Sequence, residues 1–177
     1  MDIWTVIEEH ISKTIGTTFT ATRRHNVGGG CINDSNIVTN EKESFFVKIN
    51  DASLISMFEA EKEGLTEILN SKTIRAPRPI CSGTANGSAY LILEHIKMNT
   101  SKHVNHEKFG QQLAAMHRST GGNYGWHRSN TIGSTIQINI PKETWIDFWN
   151  ENRLLFQLEL AEQKGYSTQL LQRGEKL

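Results

Sequence analysis

Three consecutive glycines, Gly28 to Gly30, lie between segments that favour β-strand. The segment before them, TTFTATRRHNV, is rich in threonine, and the segments after them, SNIVT and SFFVKIN, are rich in β-branched and aromatic residues. A run of backbone N–H groups without side chains can form a concave site for phosphate oxygens, in conformations that glycine adopts readily. The sequence therefore predicts a glycine turn between antiparallel strands, which either binds phosphate or is an ordinary hairpin turn.

The residues around the glycines exclude two common nucleotide-binding motifs. No segment matches the Walker pattern G-x-x-x-x-G-K-[ST]. The dinucleotide fingerprint G-x-G-x-x-G opens a helix, whereas here Asn33 occupies the position of the last glycine and a strand-like segment follows. The remaining interpretation is a flap of the kinase type, in which a glycine turn joins two antiparallel strands.

A lysine and a glutamate further along the chain strengthen the kinase interpretation. Lys48 lies in the apolar strand FFVKIN, where its amine needs either water or a fixed anion. Glu61 falls within the apolar stripe of a helix predicted over residues 53–70, and a carboxylate on a buried face needs a partner. We therefore predict an ion pair that positions the Lys48 amine for nucleotide phosphates. The alternatives are an edge-strand lysine and a glutamate at the edge of the stripe, each reaching water.

The remaining patterns predict an α+β chain with two parts. Isoleucine at every fourth position predicts a helix over residues 3–15, and the pair Asn86-Gly87 predicts a hairpin turn before the apolar strand SAYLILEHI. Beyond residue 104, HEKFGQQLAAMHRS and KETWIDFWNENRLLFQLELAEQKG favour helices, joined by a loop rich in Gly and Asn. We therefore predict a first domain at residues 1–97 and a second, helical one at residues 98–177.

Composition argues against several classes of function. The formal net charge is zero, with 19 basic and 19 acidic residues, so nothing favours a nucleic-acid or membrane-surface partner. No apolar run is long enough to span a bilayer, and the N-terminus is acidic where a signal peptide would be basic. The two cysteines, Cys31 and Cys81, fit neither a disulfide framework nor a metal site, and His103 and His106 lack further ligands. These features predict a soluble protein of a reducing cytoplasm.

Eight segments, in order, resemble the fructosamine kinase (ketosamine kinase) family, which has the aminoglycoside-phosphotransferase and protein-kinase-like fold. They are GGGCIN, FFVKIN, MFEAEKEGL, TIRAPRPI, LILEHIKM, FGQQLAAMHR, IGST and WIDFWNENRLLFQLELAEQKG. The resemblance implies a nucleotide-binding N-terminal lobe, with an antiparallel sheet and a helix, followed by the first helices of a helical C-terminal lobe. It also implies an enzyme that uses ATP and Mg²⁺ to phosphorylate the sugar C3 hydroxyl of ketosamines (fructosamines or ribulosamines), whether small or protein-bound, which leads to deglycation.

The resemblance further implies roles for individual residues. The glycine turn would cover the nucleotide phosphates, Lys48 would hold them, and Glu61 would orient Lys48. The end of the strand SAYLILEHI would be a hinge between lobes, where the carbonyl of Glu94 and the amide of Ile96 read an adenine edge. The predicted nucleotide-binding residues are Gly28, Gly29, Gly30, Lys48, Glu61, Leu93, Glu94, His95 and Ile96.

The family's catalytic segment, H-G-D-L-W-x-G-N, and its later metal-binding aspartate do not occur in these 177 residues. The catalytic aspartate and the Mg²⁺ ligands are therefore expected beyond residue 177, and this chain alone is expected to bind nucleotide without transferring phosphate. Asp147 and Asn152 have the Asp-x-x-x-x-Asn spacing of a kinase catalytic loop. The apolar residues around them run at helical spacing, however, which favours a helix over a catalytic loop.

Two alternatives to a ketosamine kinase remain open. The chain could belong to another small-molecule kinase of the same fold, acting on aminoglycoside or choline-like substrates. It could instead be an inactive nucleotide-binding module that dimerises by redox chemistry, because Cys31 lies beside three glycines in surroundings that favour an anion. Cys31 is thus either a redox-sensitive thiol that links two chains into a homodimer by a disulfide, or an inert small residue.

Overall fold

The computed structural model describes residues 2–28, 32–98 and 105–174. The chain forms two compact units, Met1–Ser119 and Thr120–Leu177. This division lies later than the domain boundary predicted between residues 97 and 98, because the helix that follows residue 105 groups with the first unit. Most of the segment around the expected boundary lies outside the described residues, so the boundary between lobes stays a prediction.

Within the residues that the structure describes, the first unit consists of an antiparallel sheet and three helices. Its elements are α1 (Ile3–Ile15), β1 (Arg23–Asn26), β2 (Asp34–Thr39), β3 (Ser44–Asp51), a 3-10 turn (Ala52–Leu54), α2 (Ile55–Asn70), β4 (Pro79–Ala85), β5 (Ser88–Glu94) and α3 (His106–His117). The five strands lie in the order β1-β2-β3-β5-β4, and every neighbouring pair is antiparallel. The strands, the helices and the hairpin predicted from the sequence are therefore confirmed, except that the strand before the glycines is shorter than predicted.

Two local features of this unit follow from glycine. Gly16 ends α1 at a φ of 76°, where its N–H donates to the carbonyl of Ser12 at 3.0 Å. Gly87 (φ 78°) and Asn86 (φ 52°) both take the left-handed conformation that a two-residue turn between β4 and β5 requires. The strand before the glycine run is shorter than predicted, because residues 17–22 precede β1 and Phe19 is instead buried in the core.

Each face of the sheet is covered by one helix. Helix α1 buries Ile7 and Ile11 against one face, and α2 buries Phe58 against the other. Side chains alternate along β3, so Val47 joins the α1 side while Phe46 packs on the α2 side. A fully buried side chain of this size stabilises the fold by about 1.5–3 kcal/mol. The first unit is therefore a sheet with apolar packing on both faces.

The second unit is built from a small hairpin and a long interrupted helix. Its elements are β6 (Asn130–Ile132), β7 (Thr135–Gln137), α4 (Trp145–Trp149), a π-helical segment (Asn150–Leu155), α5 (Phe156–Gln163) and α6 (Thr168–Gly174). The helix predicted for this region is confirmed, but its middle turns are wider than in an α-helix. The hairpin lies within the segment that we predicted to be a loop, and Gly133 at its turn has a φ of 63°.

Among the described residues, no helix combines the length and the apolar character that crossing a bilayer demands.

Candidate functional site

The predicted contact between Lys48 and Glu61 is present. Strand β3 directs Lys48 to the same face as Phe46, and α2 places Glu61 one turn after the buried Phe58. The Lys48 Nζ donates to Oε1 of Glu61 at 2.8 Å and to Oε2 at 2.5 Å. The two side chains keep 20% and 31% of their surface exposed. Since pairs with this access to water stabilise by about 1 kcal/mol or less, the main effect of the contact is to fix the position of the ammonium group.

An apolar surface lies beside this ammonium group; we call it the apolar floor, and it consists of Ile37, Phe46 and Leu93. Residues that are directly opposite on antiparallel strands project to the same face of a sheet. Phe46, two residues before Lys48 on β3, lies opposite Ile37 on β2 and Leu93 on β5. Leu93 is buried, and Ile37 and Phe46 are partly exposed. The face therefore combines a flat apolar surface with a fixed cation, which suits a planar apolar group that carries an anionic tail.

The described residues on each side of the glycine run are held to this sheet by hydrogen bonds. Before the turn, the amide of Val27 donates to the carbonyl of Ser35 at 2.8 Å. After it, the Asn50 side chain on β3 donates to the Ile32 carbonyl at 2.9 Å and to Asn33 Oδ1 at 2.7 Å. Ile32 and Asn33, which follow the glycine run, are thus held by the strand that carries the lysine.

Only one of the three glycines falls within the described residues. Gly28 is exposed, and a Cβ atom built on it would have no neighbour within 4 Å in the described part of the chain. Crowding by that part of the chain therefore does not require glycine at this position. Gly29, Gly30 and Cys31 lie outside the described residues.

The predicted hinge lies at the end of β5 and is held by polar contacts on its β4 side. The Glu94 carboxylate accepts from the Arg75 guanidinium at 2.9 Å and from the Arg78 amide at 3.2 Å. The Glu94 amide in turn donates to the Arg78 carbonyl at 2.8 Å. Ile96, two residues further on, is partly exposed. The contacts fix the backbone at the point where the hinge begins.

His95 is held from the opposite side by β3. Its Nδ1 lies 2.6 Å from the hydroxyl oxygen of Ser44, which shares the Lys48 face by alternation along the strand. Burial lowers the pKa of His95, and the charges of Lys97 and His25 lower it further. A neutral imidazole is therefore favoured beside the apolar floor. Ser44 was not predicted as a site residue, although its place two residues before Phe46 puts it on the same face of β3.

Asp147 and Asn152 have structural roles, as the helical spacing around them predicted. Asp147 lies in the first turn of α4, where its amide donates to the Thr144 hydroxyl at 3.1 Å and its carboxylate accepts from that hydroxyl at 2.6 Å. Asn152 is buried in the π-helical segment and donates to the Ile140 carbonyl at 2.8 Å. Neither side chain is arranged as in a catalytic loop.

The described residues contain no cluster of three or more His, Cys, Asp or Glu side chains that could hold a metal ion. His106 begins α3, and His103 lies outside the described residues. Cys81 is free and buried, and its burial raises the pKa of the thiol to about 11.

A five-stranded antiparallel sheet, with a central-strand lysine paired to a glutamate of the packed helix, defines the N-terminal lobe of the protein-kinase-like fold. Within that class, residues 3–176 match the family model described as fructosamine kinase. The chain belongs to the fructosamine kinase family.

Individual relatives agree with this family. A Synechocystis protein named as a ketoamine kinase is 41% identical over 163 residues, which are 92% of this chain and 55% of that protein. A chloroplastic protein-ribulosamine 3-kinase of Arabidopsis thaliana is 38% identical over 167 residues, which are 93% of this chain and 51% of that protein. A crystal structure of a Haemophilus somnus protein named as a fructosamine-3-kinase superposes with a TM-score of 0.84 at 27% identity, covering 92% of this chain and 55% of that one. The chain thus spans about half the length of the curated relatives it matches.

Proposed function

We propose that this chain is the ATP-binding part of a ketosamine kinase, which phosphorylates the sugar C3 hydroxyl of fructosamines or ribulosamines. The observation that carries the proposal is the Lys48–Glu61 contact on the face that bears the apolar floor. The names of the relatives, a ketoamine kinase and a ribulosamine 3-kinase, support the choice of substrate class. ATP would supply the phosphoryl group.

In this proposal, Lys48 binds the phosphates and Glu61 orients it. An ammonium group has three N–H donors, and the two carboxylate oxygens of Glu61 accept two of them. The third donor is left for a phosphate oxygen. Backbone amides of the turn formed by Gly28, Gly29 and Gly30 would cover the same phosphates.

The adenine ring would lie against Ile37, Phe46 and Leu93. Its polar edge would bind the carbonyl of Glu94 and the amide of Ile96. Two contacts support this assignment, because they hold consecutive residues of the predicted hinge in place. They are the salt bridge of Glu94 with Arg75 and the contact of His95 with Ser44. The apolar floor excludes water from the base, and the fixed lysine orients the charged tail.

Phosphoryl transfer also needs a carboxylate to take the proton of the sugar hydroxyl, and oxygen ligands for Mg²⁺. We expect these groups on polypeptide outside the present 177 residues. The chain alone should then bind ATP without turning over a ketosamine. The second candidate, a nucleotide-binding module without activity, rests on the same observation and differs only in whether such polypeptide exists.

Calorimetric titration with ATP, followed by an ADP-release assay on fructoselysine, tests the proposal. Replacing Lys48 by Ala should weaken ATP binding at least about tenfold, because one charge-assisted hydrogen bond contributes about 1.5–3 kcal/mol. The matched control is Lys42→Ala, in the exposed turn between β2 and β3, which should leave affinity unchanged. Equal affinities of wild type and Lys48→Ala would remove the basis of the proposal.

Two further predictions belong to the same proposal. A disulfide-linked homodimer through Cys31 is tested by comparing wild type and Cys31→Ser on non-reducing gels after oxidation; identical migration would contradict it.

A cytoplasmic location is tested by fractionating cells, and recovery in an organelle fraction would contradict it; one Arabidopsis relative is named as chloroplastic.

A further inference from the structure

The contact between Ser44 and His95 joins two strands at the point where their pairing ends. The last residue pair of the β3–β5 ladder is Phe45 with Glu94, and Ser44 and His95 come directly after it on the two strands. The Ser44 hydroxyl oxygen lies 2.6 Å from Nδ1 of His95. This side-chain contact therefore continues the connection from β3 into the segment that follows β5, where the predicted hinge lies.

Successive residues of the hinge are held from opposite sides. Glu94 is the last residue of β5, and its carboxylate accepts two hydrogen bonds on the β4 side. His95 is the next residue, and its imidazole bonds to Ser44 on the β3 side. Two consecutive residues that are held in opposite directions leave the chain little freedom to rotate about its own axis. The peptide groups from Glu94 to Ile96 should therefore keep one orientation.

The bond between Ser44 and His95 joins two neutral groups. Burial lowers the pKa of His95 from 6.5, and the charges of Lys97 and His25 lower it further. The imidazole is therefore neutral at pH 7.5. Removing one hydrogen bond between neutral groups changes an equilibrium constant by about twofold to tenfold. An effect of that size is measurable in nucleotide binding.

The orientation of the hinge matters because adenine and guanine present opposite groups to it. Adenine has an amino donor next to a ring-nitrogen acceptor, whereas guanine has a carbonyl acceptor next to a ring N–H donor. The carbonyl of Glu94 and the amide of Ile96 are complementary to adenine. Guanine would place carbonyl against carbonyl and N–H against N–H, and a site whose polar groups are left unpaired rejects a ligand. That rejection requires a hinge that cannot turn to suit guanine.

We propose that Ser44 is a positioning residue for base recognition, which holds the hinge through His95 and thereby lets the site distinguish ATP from GTP. Ser44 acts on the base through His95, from a different strand than the groups that read the base. The inference rests on the function proposed above, because it needs adenine at the hinge. It adds a residue that determines which nucleotide the site accepts.

Calorimetric titration with ATP and with GTP at pH 7.5 tests the proposal. Ser44→Ala should lower the affinity for ATP about twofold to tenfold and leave the weaker affinity for GTP nearly unchanged, so that the ratio of the two falls. Ser44→Thr keeps the hydroxyl and should restore the ratio. Ser88→Ala removes a hydroxyl at the other end of β5 and is the matched control, which should bind both nucleotides as wild type does.

A double-mutant cycle tests whether Ser44 acts through His95. His95→Ala should reduce the ratio at least as much as Ser44→Ala does, and adding Ser44→Ala to it should cause no further loss. Losses that multiply would overturn the proposal. Circular dichroism checks that each variant folds, and Ser44→Thr with His95→Ala decide the matter if Ser44→Ala does not fold.

The remaining outcomes separate this inference from the proposed function. Lys48→Ala should weaken ATP and GTP alike, because both carry the same triphosphate. A wild-type chain that does not bind ATP, or binds it equally well after Lys48→Ala, would overturn the proposed function and this inference with it. ATP binding that depends on Lys48 would overturn the inference alone in two cases. The first is equal affinity of wild type for ATP and GTP, and the second is an unchanged ratio in Ser44→Ala.

Discussion

At the scale of single residues, the contact between Lys48 and Glu61 affects the position of the Lys48 ammonium group more than the stability of the fold. Both side chains reach water, so their attraction is screened and adds little to the free energy of unfolding. The direction of the ammonium group nevertheless depends on two hydrogen bonds to one carboxylate. Function and stability should therefore respond differently when the carboxylate is removed.

Replacing Glu61 by Ala should lower the affinity for ATP between about fivefold and fiftyfold, because Lys48 then loses its orientation. The free energy of unfolding should change by less than about 1 kcal/mol. Calorimetric titration and urea denaturation measure the two quantities. Glu59→Ala, an exposed position on the same helix, is the control and should leave ATP affinity unchanged. A large loss of stability with unchanged affinity would assign Glu61 a purely structural role.

The histidine on α1 predicts a pH dependence of stability. His10 Nδ1 lies 2.9 Å from the Tyr90 hydroxyl, and burial, followed by the charges of Lys13 and Lys62, lowers the pKa of His10 from 6.5. The unfolded chain therefore binds a proton at a higher pH than the folded chain does. Above pH 6.5, His10 is neutral in both states and does not reduce the free energy of unfolding. As the pH falls from 6.5 through the lowered pKa of the folded state, protonation of His10 in the unfolded chain reduces that free energy. Thermal unfolding between pH 7.5 and 5 should show this decline, and His10→Gln should reduce its slope; an unchanged slope would contradict the assignment.

At the scale of elements, Gly83 in the sheet occupies a close approach that requires glycine. A Cβ atom added to Gly83 on β4 would lie 2.7 Å from the Tyr90 hydroxyl oxygen, and Tyr90 is buried and bonded to His10. Gly83→Ala should therefore destabilise the protein by about 1–3 kcal/mol. Urea denaturation measures the change. Gly64→Ala in α2 is the matched control, because its added Cβ would have no described atom within 4 Å apart from its chain neighbours and the backbone of its own helix, and it should stabilise by about 0.5–1 kcal/mol.

The sequence was sufficient to predict the elements that have a clear period. Isoleucines four apart predicted α1, and the position of Glu61 on an apolar stripe predicted its contact with Lys48. The π-helical segment was missed because its six residues are too few to show a period of their own. The β6–β7 hairpin was missed because strands of three residues are too short to show alternation. Contacts between side chains distant in the sequence, such as Ser44 with His95, have no periodic signal at all.

At the scale of the whole molecule, the two units differ in how they bury apolar groups. The first has packed clusters on both faces of its sheet, whereas within the described residues the second buries a single hydrophobic side chain, Phe148. Unfolding should therefore occur in two transitions, with the second unit unfolding first. In differential scanning calorimetry, ATP should raise the temperature of the upper transition only, and Phe148→Ala should abolish the lower one. A single cooperative transition that ATP shifts as a whole would contradict this.

The exposed apolar side chains of the second unit, Ile132, Ile136 and Trp149 among them, also have a consequence for the chain in the cell. Chaperones of the holdase type and quality-control proteases recognise apolar surface, and a shift of 1–2 kcal/mol in the folded population changes protein abundance several-fold. Newly made copies should therefore be degraded quickly unless Ile132, Ile136 and Trp149 are covered soon after synthesis. The steady-state level of this polypeptide should then follow the supply of whatever covers those side chains, rather than the rate of its own translation.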